Sequence, residues 1–138
     1  MRIGADYYPE HWEKERWKTD AEMMVKANIK VIRIGEFAWS LYEPEEGKYE
    51  FDWMDEALDF FGKYGIKVVM CTPSATPPKW MIDKYPDILQ NDIHGNPKLF
   101  GTRKHYCFNS ETYREKTKKL NTLIAKRYAK HPAIEACR

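Results

Sequence analysis

The chain has 138 residues, of which 43% are hydrophobic and 14% aromatic, enough for one packed core of ordinary domain size. Its 23 Lys and Arg against 21 Asp and Glu give a net charge of +2, which argues against nucleic acid or a membrane surface as partner. We find no run of 18 apolar residues and no signal-peptide pattern. Three widely spaced cysteines without a CxxC pair favour a reducing compartment, so we expect a cytoplasmic protein.

The first third of the chain predicts a strand, a helix and a second strand. The segment IGADYY (3–8) can form the first strand, and KVIRIGE (30–36), rich in β-branched residues, the second. Between them, helical spacing places one set of residues on a single face: Trp17, Ala21, Met24, Val25 and Asn28. Asn28 suits the C-terminal end of this helix.

The middle of the chain repeats this alternation. Asp52 is a candidate N-cap, and Gly65 is a candidate terminator of the helix that follows. The inner face of that helix would carry Met54, Ala57, Leu58 and Phe61. The segment IKVVMC (66–71) predicts a third strand, with Cys71 in the core.

The last part of the chain begins with a long segment, residues 72–109, that shows no clear periodicity. Ser110 can then cap a final helix, and Ala133 and Ile134 would begin a fourth strand. The inner face of the final helix would carry Tyr113, Thr117, Leu120, Ile124 and Tyr128.

This order of elements predicts an α/β fold with a parallel sheet. A doubly wound sheet and a (β/α)₈ TIM barrel both fit the alternation. The turn after the first strand, YYPEHW, lacks the glycines with which a doubly wound sheet usually binds phosphate, so we favour the barrel. Barrels take roughly 250 residues. Residues 1–138 would therefore be one incomplete domain: three βα units and the start of strand four.

Polar residues follow the predicted strands, at the edge where barrels carry their functional groups. Asp6 and Tyr7 end the first strand, Arg33 and Glu36 end the second, and Thr72 and Ser74 follow the third. Arg33 could pair with Glu36 or another carboxylate purely for structure. Alternatively, its guanidinium could hold a catalytic carboxylate ionised and oriented.

The long segment mixes aromatic rings with hydrogen-bond donors: Trp80, Tyr85, Phe100, Arg103, His105 and Tyr106. Such a mixture suits a sugar, although the segment could instead fold over the barrel mouth for its own stability. Cys107 with His105 could contribute to a metal site, but structural zinc needs four ligands. The basic last helix could bind nucleic acid, but a solvated outer face of the barrel explains its charge more simply.

Several long segments together resemble glycoside hydrolase family 42, whose members are mostly β-galactosidases on a (β/α)₈ barrel. These segments are GADYYPEHW, IRIGEFAWSLYEPEEGKYEFDWMDEAL, VVMCTPSATPPKWM, GTRKHYCFNS and HPAI. The resemblance implies a retaining enzyme that hydrolyses terminal β-D-galactosyl residues in carbohydrate metabolism. It further implies that the chemistry needs no cofactor. It also implies that the full-length enzyme is a homo-oligomer, often a trimer.

The same resemblance implies roles for individual residues. Arg33 matches an arginine that contacts the nucleophilic carboxylate, and Glu36 would lie at the pocket rim or neutralise Arg33. Arg103 matches an arginine that binds galactosyl hydroxyls. Cys107 matches the first cysteine of a structural zinc cluster that some full-length members carry.

The resemblance places both catalytic carboxylates beyond residue 138. The family's acid/base follows a stretch like HPAIxxWxxxNE, whereas this chain reads HPAIEACR and then ends; Glu135 comes too early. We therefore expect the isolated chain to be inactive. Two alternatives stay open: a non-catalytic remnant that binds galactosides weakly or only self-associates, and a related glycosidase acting on mannans, xylans or arabinosides.

Overall fold

The computed structural model describes residues 3–101 and 104–137. It divides into two compact units, which are taken in turn. Among the described residues, the first unit comprises 3–35, 51–72 and 127–137, and the second comprises 36–50, 73–101 and 104–126.

The first unit contains a parallel sheet of four strands in the order β1-β2-β3-β4. The strands are β1 (Ile3–Asp6), β2 (Ile29–Ile34), β3 (Lys67–Met70) and β4 (Ile134–Cys137). Neighbours in sequence are neighbours in the sheet, as in a barrel, whereas a doubly wound sheet reverses its strand order. The predicted fold class, the first half of a (β/α)₈ barrel, agrees with this order.

The chain forms five α-helices within the described ranges. They are α1 (Lys14–Lys26), α2 (Trp39–Tyr42), α3 (Asp52–Lys63), α4 (Lys79–Lys84) and α5 (Glu111–Tyr128). No helix in this part of the chain is both long and apolar enough to cross a membrane.

The core of the first unit forms where α1 packs on β2 and α3 packs on β3. The buried side chains of these elements are Trp17, Ala21, Met24, Ile32, Ile34, Met54, Ala57, Leu58, Phe61, Val68 and Met70. Burying one large apolar side chain contributes about 1.5–3 kcal/mol, so this face provides most of the unit's stability. Because strand side chains alternate, the residues between these buried ones lie on the opposite face of the sheet.

Element boundaries depart from the sequence prediction by a few residues. The prediction that Val25 lies on the buried face of α1 is wrong: Val25 is 43% exposed, beside the buried stripe that contains Trp17, Ala21 and Met24. The helix ends at Lys26, and the chain turns through Asn28, which has a φ of 57°. Asp52 is the first residue of α3, and its N-cap position is occupied by Phe51. Gly65, the predicted terminator of this helix, lies just after α3 and has a φ of 71°.

Most of the segment without clear periodicity belongs to the second unit, where it forms several short regular elements. Residues 72–109 contain α4, two 3₁₀ turns at Pro73–Ala75 and Pro86–Ile88, and isolated bridges such as Leu89 to Tyr106. These elements are too short to produce a recognisable hydrophobic period. Ser110 does cap α5, since its Oγ accepts a hydrogen bond from the Tyr113 N–H at 3.3 Å.

A buried carboxylate in the first unit leads to a stability prediction. Neither carboxylate oxygen of Glu10 has a hydrogen-bond partner among the described residues, and burial raises the pKa of this side chain. The folded state therefore favours the protonated form. Stability is greatest below the ordinary pKa and falls as pH rises towards the higher folded-state pKa.

We expect Glu10→Gln, which removes the charge, to raise the melting midpoint at pH 7 by about 3 °C and to leave it unchanged at pH 4. Thermal denaturation followed by circular dichroism at the two pH values measures this. Glu22→Gln, on the exposed side of α1, is the matched control. An equal gain at both pH values would contradict the assignment.

Candidate functional site

The carboxyl ends of β1 and β2 bring Arg33 and Asp6 together. The Arg33 Nε donates to Asp6 Oδ1 at 2.7 Å, and Nη2 donates to Asp6 Oδ2 at 3.0 Å. The strand register pairs these two residues directly, so the bidentate contact follows from the sheet. The sequence analysis considered a structural pairing of Arg33 with Glu36 or another carboxylate, and Asp6 is such a carboxylate.

The Arg33–Asp6 pair lies on the face of the sheet opposite to the helices. Arg33 alternates with the buried Ile32 and Ile34, and its side chain is 25% exposed, while that of Asp6 is 55% exposed. An open depression beside the pair is lined by Gly4, Ala5, Asp6, Val31 and Arg33. In a closed barrel this face is the interior, and its carboxyl end carries the active site.

Tyr7, the other polar residue predicted at the end of the first strand, has a structural role. Its hydroxyl donates to Asp20 Oδ2 at 2.9 Å, and its backbone N–H donates to the Arg33 carbonyl at 3.0 Å. Burial and the Asp20 carboxylate raise the pKa of Tyr7 well above its usual range. The phenol is therefore neutral, and it fixes the chain immediately after Asp6.

Two other predicted substrate contacts, Glu36 and Arg103, stay predictions. Glu36 is half-buried and belongs to the second unit, so its neutralisation of Arg33 stays a prediction. Arg103 lies outside the described residues, and its contact with galactosyl hydroxyls also stays a prediction.

The second unit is organised around Glu43, which the sequence analysis did not single out. Its side chain is 1% exposed and accepts hydrogen bonds from Trp39 Nε1 at 3.0 Å and the Gly47 N–H at 2.8 Å. Its backbone carbonyl accepts from Trp80 Nε1 at 2.8 Å. Burial, together with Glu43, raises the pKa of Tyr49 to about 12. The only sequence signal for Glu43 was an acid directly after AWSLY, a segment with two aromatic residues.

Glu46 is a second carboxylate hub in this unit. It forms ion pairs with Lys84 and Lys116 and accepts from the Tyr85 hydroxyl at 2.9 Å. Hydrogen bonds from these three groups lower the pKa of Glu46 from its ordinary 4.5 to about 2. Through these contacts Glu46 links α4, and Tyr85 directly after it, to α5.

We expect Glu46→Gln to destabilise the chain at pH 7 and to have little effect near pH 2. The folded-state pKa is depressed, so the stabilisation is complete above the ordinary pKa and is lost as pH falls from about 4.5 to about 2. Urea denaturation midpoints at pH 7, 4 and 2 measure the difference. Glu45→Gln, an exposed surface pair with Lys48, should change little at any pH. A gap between Glu46→Gln and the parent that persists at pH 2 would contradict this account.

The prediction that the long segment forms an aromatic sugar-binding surface is wrong for two of its residues. His105 and Tyr106 are 1% and 4% exposed, and the Tyr106 ring stacks on Tyr113 with centroids 4.2 Å apart. These residues build the core of the second unit, as the alternative reading of the segment proposed. Phe100 remains 48% exposed and lines a depression together with Phe37, Ser40, Thr76 and Pro78.

The predicted metal ligand, Cys107, is a half-buried free thiol. Within residues 3–101 and 104–137, no group of three or more His, Cys, Asp or Glu side chains could hold a metal ion. The zinc role of Cys107 therefore stays a prediction. Cys71 is 4% exposed, which confirms it as a core residue.

Comparisons with known proteins agree with this geometry. Residues 6–138 match the family model of glycoside hydrolase family 42, described as beta-galactosidase. The chain is 52% identical to a beta-galactosidase of Thermus thermophilus over 96% of its length and 48% identical to BgaH of Haloferax lucentense over 97%. It superposes with a TM-score of 0.96 and 45% identity on the crystal structure of a beta-galactosidase from Marinomonas ef1, covering 100% of this chain and 21% of that one.

The match covers almost all of this chain and a small part of its relatives. The chain spans about 20% of the length of both curated relatives. The matched part therefore corresponds to an N-terminal portion of longer proteins, consistent with four strands of an eight-stranded barrel.

Proposed function

We propose, from the premise that this chain belongs to glycoside hydrolase family 42, that it supplies the N-terminal part of the active-site barrel of a retaining β-galactosidase. The observation that carries the proposal is the Arg33–Asp6 pair at the carboxyl end of β1 and β2, where (β/α)₈ barrels carry their chemistry. The matched family supports galactosides as the substrate class.

The role proposed for Arg33 is electrostatic. A retaining glycosidase needs one ionised carboxylate as nucleophile and one protonated carboxyl group as acid, about 5 Å apart. Two such groups repel each other when both are charged, so a nearby cation that lowers the pKa of only one of them separates their roles. The bidentate contact with Asp6 holds the guanidinium plane in one orientation for that purpose.

Other residues would bind the sugar and define its surroundings. Arg103 would donate to galactosyl hydroxyls, and Glu36 would lie at the rim of the pocket. Both catalytic carboxylates would come from the part of the enzyme that follows the matched segment. We further propose a cytoplasmic enzyme of carbohydrate metabolism that assembles as a homo-oligomer, with Cys107 as a ligand of a structural zinc.

A chimera tests the proposal. Residues 3–137 of this chain would replace the corresponding segment of the Thermus thermophilus relative, to which the chain is 52% identical. We expect the chimera to hydrolyse an aryl β-galactoside and the isolated chain to show no turnover above background. A folded but inactive chimera, or hydrolysis by the isolated chain, would refute it.

The sugar is tested on the same chimera with a panel of aryl glycosides. We expect the β-galactoside to have the highest kcat/KM among β-galactoside, β-xyloside, β-mannoside and α-arabinoside. A higher value for any of the others would favour the alternative of a related glycosidase. Galactose binding by the isolated chain without turnover would support the non-catalytic alternative.

A further inference from the structure

A hydrogen bond between α1 and the end of β1 is not used by the proposed function. The Tyr7 hydroxyl donates to Asp20 Oδ2 at 2.9 Å. Tyr7 is 8% exposed, and the side chain of Asp20, on α1, is 12% exposed. The same carboxylate oxygen also accepts from Arg16 Nε at 3.2 Å, so two donors fix the orientation of the Asp20 carboxylate.

The hydroxyl of Tyr7 is not needed for the packing of its ring. The ring meets Phe61 edge-on, with centroids 5.3 Å apart, and a phenylalanine would make the same contact. A single hydrogen bond adds little net stability, because folding exchanges it for a bond to water. A satisfied buried polar pair does, however, select one geometry. The Tyr7–Asp20 bond therefore affects where the chain lies more than whether it folds.

The backbone of Tyr7 transmits this geometry to the Arg33–Asp6 pair. The Tyr7 N–H donates to the Arg33 carbonyl at 3.0 Å. The preceding residue, Asp6, holds the Arg33 guanidinium through both carboxylate oxygens. One planar peptide joins Asp6 to Tyr7, so a displacement of Tyr7 moves the carboxylate that orients the guanidinium.

The exposure of the Arg33–Asp6 pair explains why it needs an anchor. The two side chains are 25% and 55% exposed, and an ion pair in contact with water is held only weakly. A functional group must nevertheless stay within about 0.5 Å of its productive geometry. Asp20 lies on a helix of 13 residues that is packed in the core through Trp17 and Ala21. The Tyr7–Asp20 bond thus connects a solvent-exposed pair to a rigid element.

We infer that Tyr7 and Asp20 are positioning residues for Arg33. Their hydrogen bond fixes Asp6, and through Asp6 it fixes the direction in which the guanidinium faces the nucleophilic carboxylate. The inference rests on the proposed function, because it takes from there the electrostatic role of Arg33. It extends that function to a helix whose residues have no part in binding the sugar.

Tyr7→Phe in the chimeric enzyme tests the inference, since it removes the hydroxyl and keeps the ring. We expect kcat for an aryl β-galactoside to fall about fivefold, because a misdirected guanidinium stabilises the transition state less. KM should stay within twofold of the parent value, because Arg33 is not assigned to substrate binding. The acidic limb of the pH–rate profile should move to higher pH, because the displaced cation lowers the pKa of the nucleophile less.

A double-substitution cycle separates positioning from a purely structural role. If Tyr7 acts through Asp6, Tyr7→Phe should lower kcat less than twofold when Asp6→Asn is already present. A loss of the same size in both backgrounds would overturn the inference. Asp20→Ala should match Tyr7→Phe, and Asp20→Asn should recover most of kcat, because its amide oxygen still accepts a hydrogen bond.

The matched control is Tyr128→Phe, which also removes a buried hydroxyl in the first unit. Tyr128 is 1% exposed, and its hydroxyl donates to the Phe51 carbonyl at 3.3 Å rather than to a group that anchors Arg33. We expect kcat of this variant within twofold of the parent and an unchanged pH profile. Circular dichroism checks that every variant is folded.

Two results would overturn the inference alone while the chimera is active: a Tyr7→Phe variant with the parent's kcat and pH profile, or an equal loss in Tyr128→Phe. A folded chimera without turnover would instead refute the proposed function, and the inference with it. The two failures are therefore distinguished by the activity of the parent chimera.

Discussion

In the chimeric enzyme, Arg33→Ala is expected to lower kcat/KM for an aryl β-galactoside at least 100-fold, about 2.7 kcal/mol of transition-state stabilisation. The guanidinium favours the ionised form of the nucleophilic carboxylate, so its removal should raise the pKa of that carboxylate. The acidic limb of the pH–rate profile should then move to higher pH. Steady-state kinetics between pH 4 and pH 8 measure both effects.

Two further variants separate charge from geometry at this position. Arg33→Lys keeps the charge but loses the bidentate fork, and it should recover part of the rate and most of the pH profile. Asp6→Asn weakens the contact that orients Arg33, which is bonded through both carboxylate oxygens, and should cost about 10-fold. Activity of Arg33→Ala within threefold of the parent, with an unchanged pH profile, would refute the assigned role.

Glu43→Ala should lower the free energy of unfolding of the chain by about 3 kcal/mol. The substitution leaves the Trp39 indole and the Gly47 N–H without their present acceptor, and each buried unsatisfied donor costs about 1–3 kcal/mol. It also removes the packing of a side chain that is 1% exposed. Urea denaturation followed by tryptophan fluorescence measures the loss and reports directly on the Trp39 environment.

The control for Glu43→Ala is two residues away. Glu45 has the same chemistry, but its side chain is 67% exposed and pairs only at the surface with Lys48 in the described contacts. Glu45→Ala should change the free energy of unfolding by less than about 0.5 kcal/mol. Equal effects of the two substitutions would show that Glu43 does not organise the second unit.

The alternation of elements was predictable because it depends on local periodicity. The buried faces of α1 and α3 follow from helical spacing alone, and Trp17, Ala21, Met54, Ala57 and Leu58 are buried as predicted. Strand order followed as well, since consecutive βα units place consecutive strands side by side. The family could also be identified from sequence, because its motifs extend over nearly the whole chain.

The short elements of the second unit were not predictable in the same way. An element such as α4, with 6 residues, completes fewer than two turns and shows no period. The burial of His105 and Tyr106 was likewise invisible, because aromatic and polar residues in a long segment suit a binding surface as well as a small core.

Sequence patterns are sufficient to predict part of an α/β barrel with Arg33 at the carboxyl end of a strand. The carboxylate that this arginine contacts depends on the folded sheet: Asp6, 27 residues away, is its bidentate partner because the register of β1 and β2 aligns them. Glu46 likewise meets Lys84 and Lys116, which are 38 and 70 residues away. Local propensity acts over a few residues, whereas partners so distant in sequence are brought together only when the whole chain has folded.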